Sequence, residues 1–124
     1  MGTRSITVFQ DEFGKEIVVL YRHFDGYLDV HGKELKDFLE GFNVVNGLPA
    51  DVPPKTANGM GNLAVQVISH LLSLESTADP AGNLYLMPAG TRDVGEEFTY
   101  LVYEAFGTVG LEWEDWNGGS GTLL

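Results

Sequence analysis

The segment from Leu63 to Leu74, LAVQVISHLLSL, is apolar on most of the circumference of the helix that its periodicity predicts. A helix with so little polar surface has to be covered by other elements, and this pattern is typical of a helix that packs against a sheet. Asn62 stands directly before the segment and can cap its first turn. The rest of the chain must therefore supply a sheet that buries this helix.

Strand patterns lie on both sides of this helix. Residues 3–10 alternate in polarity and residues 16–24 form an apolar run, with turn residues between them that predict an N-terminal hairpin. A short amphipathic helix is predicted over residues 31–42, and residues 43–61 are interpreted as a long connection. Three further strands are predicted, over residues 84–87, 98–106 and 108–113.

This order of elements favours an α+β fold, with a mainly antiparallel sheet packed against two central helices. At 124 residues the chain fits a single domain, which we assign to residues 1–116. Residues 117–124 are rich in glycine and are expected to form a flexible tail. No apolar run approaches the roughly 20 residues that cross a bilayer, and no secretion signal is recognised. We therefore expect a cytoplasmic protein without membrane association.

The net charge of −11 restricts the partners of the chain. Nucleic-acid binding depends on lysine and arginine displacing counterions, so direct nucleic-acid binding is not expected. A basic protein surface is the large partner that this charge favours, although acidity also serves solubility. The absence of cysteine excludes disulfides and thiolate zinc sites, and His23 and His31 lack the spacing of known ligand pairs. No metal and no cofactor are expected.

The arginines Arg4, Arg22 and Arg92 all lie in segments rich in glycine or aromatic residues. Across the expected hairpin, Arg4 and Arg22 would lie near each other on one face. The apolar residues of that face would be Ile6, Val8, Val18 and Leu20. Two adjacent guanidinium groups favour an anion between them, and neighbouring glycines let backbone N–H groups approach the same anion. The alternative is internal ion pairing with the chain's own carboxylates, for which Asp25, Asp93, Glu96 and Glu97 are candidates.

The segment from Tyr21 to Tyr27, YRHFDGY, is unusually dense in chemically active side chains, and His31 follows shortly after it. Either histidine can act as a general base or bind a ligand, and the tyrosines can stack on a base or a sugar. The alternative is a strand that runs into an Asp-Gly turn, with its aromatic rings filling the sheet–helix interface. The candidate ligand-binding residues are Arg4, Arg22, His23, Asp25, Tyr27, His31, Arg92 and Asp93.

Three other features have both a functional and a structural interpretation. Residues 58–62, NGMGN, can hold an anion at a helix N-terminus, but they lack the lysine of a phosphate-binding loop and equally fit a flexible helix entry. His70 is expected to be a buried, hydrogen-bonded core histidine. An acidic, aromatic strip near the C-terminus is a candidate partner-binding surface, or a charged edge strand that prevents aggregation. Its residues are Glu112, Trp113, Glu114 and Asp115.

Several of these segments together resemble a family of small uncharacterised proteins carried by phages and bacteria. The matching segments are Gly2–Ser5, Tyr21–Tyr27, His31-Gly32 with Glu34-Leu35, Asn58–Gly61 and Pro88–Glu97. The resemblance implies a mobile-element setting, in which small proteins often block host defences.

Three functions follow as hypotheses. The first is a non-enzymatic phage-type inhibitor of a host defence system, an anti-CRISPR or similar protein, whose acidic surface competes with nucleic acid for a basic groove. The second is a binder of a nucleotide or another anionic small molecule, built on the arginine, histidine and tyrosine side chains. The third is a small hydrolase with His23 or His31 as its base. The chain also leaves open whether it forms a homo-oligomer.

Overall fold

The computed structural model describes residues 2–74 and 82–124. Within these residues the chain forms eight strands and two α-helices, and one π-helical turn, Leu28–Gly32, leads into the first helix. The helices are α1 (Lys33–Leu39) and α2 (Gly59–Leu74). The strands are β1 (Ser5–Gln10), β2 (Glu16–Arg22), β3 (Asn43–Val45), β4 (Thr56–Asn58), β5 (Leu84–Pro88), β6 (Phe98–Ala105), β7 (Thr108–Asp115) and β8 (Ser120–Thr122).

The main sheet has the strand order β5-β2-β1-β6-β7-β8. Strands β1 and β6 pair in parallel, and every other neighbouring pair of this sheet is antiparallel. Strands β3 and β4 form a separate, parallel pair. The predicted α+β class, the mainly antiparallel sheet and the two helices are therefore confirmed.

Both helices pack on one face of the sheet, which we call the helix face. Its core is continuous from α2 through α1 to the sheet, because Leu63 and Val67 of α2 are buried in the same cluster as Leu35 of α1 and Phe9 and Tyr100 of the sheet. This burial accounts for the apolar circumference of α2. His70 lies at the border of this core rather than inside it, since it is half-buried and its ring stacks on Phe38 at a centroid distance of 4.3 Å.

The opposite face of the sheet is also buried over its central strands. Ile6 and Val8 of β1 form a second cluster with Val19 and Tyr21 of β2. Val94 packs on this cluster and belongs to the connection 89–97, which runs from β5 to β6. We call this connection the crossover. It covers the β2 and β1 part of the face, and the described residues leave the part formed by β6, β7 and β8 open.

Two short segments that sequence patterns assigned to loops form strands. The predicted connection 43–61 contains β3 and β4. The predicted flexible tail contains β8, which pairs with β7, and the backbone of Leu123 and Leu124 exchanges hydrogen bonds with Leu111. Leu123 and Leu124 also pack against the main core. Residues 120–124 are therefore part of the domain, and the expectation of a tail from residue 117 was wrong for them.

The register of the first hairpin differs from the expected one by a single residue. Gln10 pairs with Glu16, but Phe9 pairs with Val18, so a bulge at Ile17 shifts every later pair. Because side chains alternate between faces, this shift moves Arg22 to the helix face, opposite Ser5. Ile6 and Val8 consequently share their face with Tyr21 and Val19 rather than with Leu20 and Val18.

The glycine-rich entry to α2 binds a carboxylate of the chain itself. Glu12, in the turn between β1 and β2, accepts a hydrogen bond of 2.9 Å from the backbone N–H of Met60. Gly59 has a φ of +83°, and a Cβ there would lie 3.1 Å from the Glu12 carboxylate. Helix N-termini favour negative charge, so Glu12 caps α2 from the neighbouring hairpin. Asn62, the expected cap, lies inside the helix and accepts hydrogen bonds from Asn58 and Gln66.

Among the described residues, no helix is both long enough and apolar enough to span a membrane.

Truncation of the chain after Asn117 is expected to lower the free energy of unfolding by roughly 2–4 kcal/mol, since it removes β8 and two leucines that pack against the core. Urea denaturation followed by tryptophan fluorescence measures this change. The matched control replaces Ser120 and Thr122 by alanine and keeps both leucines, and it should lose much less stability. Equal stability of the truncated and full chains would contradict the assignment of the tail to the domain.

Candidate functional site

A buried polar cluster on the helix face joins two of the predicted ligand-binding residues. The Arg22 guanidinium donates hydrogen bonds to His31 Nδ1 at 3.0 Å and to Glu34 Oε1 at 2.6 Å, and its Nε donates to the Phe24 carbonyl at 2.7 Å. Arg22 is 7% exposed and His31 is fully buried. Each of these groups therefore has its partners inside the protein, as burial of a charge requires.

The proton position on His31 follows from these bonds. A guanidinium can only donate, so Nδ1 of His31 accepts and the ring proton lies on Nε2. Nε2 then donates to the Thr7 hydroxyl at 2.7 Å. Burial, and secondarily the charge of Arg22, lowers the pKa of His31 to about 3. His31 is thus a neutral structural group at physiological pH and is not placed to act as a general base.

The Asp-Gly turn after β2 is fixed to the sheet. Gly26 donates its N–H to the Thr3 carbonyl at 2.8 Å, and its carbonyl accepts the Tyr100 hydroxyl at 2.7 Å. A Cβ on Gly26 would lie 2.6 Å from the Cβ of Ser5, so only glycine fits there. Burial raises the pKa of Tyr100. These contacts support the structural interpretation of the YRHFDGY segment at this turn.

Arg92 binds an anion in the manner expected of it, but the anion is internal. Its guanidinium donates to Glu16 Oε1 at 2.6 Å and to Oε2 at 3.4 Å, and the backbone N–H of Gly90 donates to Oε2 at 2.7 Å. The hydrogen bond from Arg92 keeps the pKa of Glu16 below its ordinary value. This bidentate pair ties the crossover to β2.

The remaining candidates do not converge on one pocket. Arg4 is exposed and lies against Gly95 of the crossover. A Cβ on Gly95 would be 3.2 Å from Nη1 of Arg4. His23 shares a hydrogen bond of 2.8 Å with the Tyr21 hydroxyl. Asp25 and Asp93 are exposed, with positive φ angles. Tyr27 is exposed as well. Within the part of the chain that the structure describes, Arg22 and His31 are the pair of candidates whose side chains are hydrogen-bonded to each other.

The open part of the second face forms a groove of about 530 Å³, which we call the acidic groove. Val8 and Leu101 contribute apolar side chains, and Glu16, Glu112 and Glu114 contribute carboxylates. The ion pair between Arg92 of the crossover and Glu16 of β2 lies on one side of the groove, and β7 and β8 lie on the other. The other lining residues are Gln10, Arg92, Thr99, Trp113, Ser120, Gly121 and Thr122.

The acidic groove includes most of the strip predicted to bind a partner, since Glu112, Trp113 and Glu114 line it. Glu112 accepts a hydrogen bond of 2.8 Å from the Tyr103 hydroxyl. Asp115 has a different role: its carboxylate accepts the backbone N–H groups of Asn117 and Gly119 at 2.9 and 2.8 Å. Asp115 therefore holds the turn between β7 and β8 and does not line the groove.

Sequence reasoning missed the partners of the arginines. Glu34 stands one helical turn after His31, so its position on α1 offered a signal that it could reach the same cluster. Glu16 and Arg92 are 76 residues apart, and no local pattern connects them. Glu12 was likewise undetectable as the cap of α2, because its contact depends on how the first hairpin packs against the helix.

Chemically, the described residues offer carboxylates on an open groove, and the buried cluster of Arg22, His31 and Glu34 is satisfied by its own hydrogen bonds. Among these residues there is no group of three or more histidine, aspartate or glutamate side chains that could hold a metal ion. The carboxylates of the acidic groove can accept hydrogen bonds and attract cations.

His31 should make the protein less stable as the pH falls. The pKa of about 3 lies below the ordinary 6.5, so the unfolded chain binds a proton that the folded chain excludes, and stability falls as pH drops from about 6.5 towards 3. The expected slope is about 1.4 kcal/mol per pH unit in that window. Urea denaturation at pH 7 and pH 5, compared with His31→Gln, measures it. An unchanged slope in the variant would contradict the assignment, as would a ring ¹⁵N spectrum of the native protein showing His31 protonated at pH 5.

Comparison of the chain with protein-family models, with curated proteins and with solved structures found no match.

Proposed function

We propose that this protein acts without catalysis, by binding another protein, and that it inhibits a host defence system such as a CRISPR effector from within the host cytoplasm. The observation that carries the proposal is the acidic groove, where Glu112 and Glu114 stand on the open half of a sheet face. The net charge of −11 supports a basic partner. The resemblance to phage and bacterial proteins supports the counter-defence setting.

The composition of the groove suits the side chains of a nucleic-acid-binding surface. Arginine and lysine have long apolar stems that can lie over the partly exposed Leu101, while their charged ends reach the carboxylates of Glu112 and Glu114. Such residues normally contact phosphates. A protein that occupies them competes with nucleic acid, and the attraction between opposite charges also accelerates its association.

The internal ion pairs favour this function over small-anion binding. Arg22 is committed to Glu34, and Arg92 to Glu16. An incoming phosphate would have to displace carboxylates that already occupy the guanidinium groups, and in the case of Arg22 it would have to enter a buried cluster. Binding of a cationic surface to the acidic groove requires neither of these rearrangements.

The chemistry of the groove can be tested with an arginine-rich peptide. The double variant Glu112→Gln/Glu114→Gln should weaken binding of the peptide roughly 3- to 10-fold, because it removes two exposed carboxylates without changing their size. Isothermal titration calorimetry at low and high salt measures the affinity, which should fall as salt rises.

The matched control is Glu40→Gln/Asp51→Asn, which removes the same charge from exposed positions outside the groove. It should keep the affinity of the native protein, apart from a small loss through net charge. If both double variants weaken binding equally, the peptide responds to net charge alone, and the acidic groove is not its site.

The counter-defence role can be tested by phage plating. Expression of the protein in bacteria that carry a CRISPR system directed against a phage should restore plaque formation. The Glu112→Gln/Glu114→Gln variant should lose this effect and the Glu40→Gln/Asp51→Asn variant should retain it. Unchanged plating across a panel of defence systems, with the protein shown to be expressed and folded, would contradict the proposed role.

A further inference from the structure

Strand β5 forms one edge of the main sheet, and among the described residues it pairs on one side only, with β2. No charged residue occurs between Gly82 and Thr91. Leu86 is 65% exposed and Tyr85 is 43% exposed. Proteins usually protect edge strands with charges, bulges or very short strands, because an open edge recruits another strand. The opposite edge, β8, is short and polar, whereas β5 lacks these protections.

The direction of the backbone groups of β5 follows from its register with β2. His23 donates its N–H to the carbonyl of Asn83 at 2.8 Å, which identifies this as a hydrogen-bonded pair. Such pairs alternate along an antiparallel ladder, so Tyr85 and Met87 also bond to β2. Leu84 and Leu86 therefore direct their N–H and C=O groups away from the sheet.

Pro88 ends this free edge. It has no backbone N–H, and its carbonyl accepts hydrogen bonds from the backbone N–H of Thr91 at 3.2 Å and from the Thr91 hydroxyl at 2.7 Å. A strand that docks on β5 can therefore form a complete ladder with Leu84 and Leu86, but not with Pro88.

Among axes at Tyr85, Leu86 and Met87, these constraints favour the one at Tyr85. A twofold axis at Tyr85 places residue 84 of one chain opposite residue 86 of the other, and because Leu84-Tyr85-Leu86 reads the same in both directions, leucine then meets leucine. In that register every backbone N–H and C=O group of Leu84 and Leu86 that points away from the sheet has a hydrogen-bond partner in the second copy. An axis at Leu86 or Met87 would bring Pro88 into the ladder and lose a donor.

The side chains match in the same register. On the helix face, the exposed Leu86 would lie opposite Leu84 of the second copy, so two apolar residues cover each other. On the second face, the two Tyr85 rings would form a directly opposed aromatic pair, beside the contact that each already makes with Tyr21 at 5.6 Å. The absence of charge in this segment favours another neutral edge over a charged partner strand.

We propose that two copies of this chain associate through antiparallel pairing of their β5 strands about a twofold axis at Tyr85. The two six-stranded sheets then form one continuous sheet. The acidic groove lies toward the other end of each sheet, at β6, β7 and β8, so the dimer presents two grooves. The dimer does not depend on the proposed function, and either can fail without the other.

Cysteine cross-linking tests the register, because the native chain contains no cysteine. Non-hydrogen-bonded antiparallel pairs bring Cα atoms to about 4.5 Å, within the range of roughly 4.4–6.8 Å that a disulfide spans. Tyr85→Cys should therefore give a covalent dimer on mild oxidation. In Met87→Cys, the matched control on the same strand and face, the two cysteines would lie about 13 Å apart along the strands and should remain unlinked.

Sedimentation velocity tests the association itself. The native protein should sediment with twice the mass of the chain, and rising salt should strengthen the dimer because the two copies carry like charge. Leu86→Lys should be monomeric, since it sets a charge on the edge. Phe13→Lys, which makes the same change at a residue 92% exposed in the first hairpin turn, should stay dimeric.

Three results would each overturn the proposal. One is a monomeric native protein at every concentration and salt tested. Another is cross-linking of Met87→Cys as fast as of Tyr85→Cys. The third is a dimer that persists in folded Leu86→Lys, as judged by circular dichroism.

Discussion

The burial of β1 on both of its faces is the constraint on which the rest of the structure depends. Phe9 of β1 lies in the core under the helices, and Ile6 and Val8 lie in the second cluster. One layer of helices cannot cover both faces, so the crossover from β5 to β6 runs over the second face. The ion pair between Arg92 and Glu16 holds the crossover against β2. The crossover is too short to cover the whole face. The uncovered part is the acidic groove.

The chain's own carboxylates occupy three of the positions where sequence patterns indicated anion binding. Glu34 binds Arg22, Glu16 binds Arg92 and the N–H of Gly90, and Glu12 binds the N-terminus of α2. Such pairs fix the geometry of the elements that they join, although replacing a buried ion pair by apolar residues is often neutral for stability. Carboxylates on the acidic groove remain exposed, so the accessible face of the protein is the one suited to cations.

The sequence predicted the first hairpin, α2 and the strands β6 and β7, since each depends on local periodicity or on a short turn. It did not predict the position of Arg22, because one extra residue at Ile17 reverses the face of every later side chain. It also missed β8, whose Ser-Gly-Thr sequence has no strand pattern and which forms because Leu123 and Leu124 anchor the chain end. For the site, residue types marked out the local strip of β7, whose partner-binding role stays a prediction. The ion pairs could not be predicted, because they join residues on different elements.

Mapping of backbone amide chemical shifts during titration with an arginine-rich peptide tests the central claim most directly, because it locates the accessible binding surface without any substitution. We expect changes at Leu101, Glu112, Glu114 and Ser120, with the amides of Arg22 and His31 unaffected. Changes centred on residues 22–31, with the amides of β7 and β8 unmoved, would contradict it.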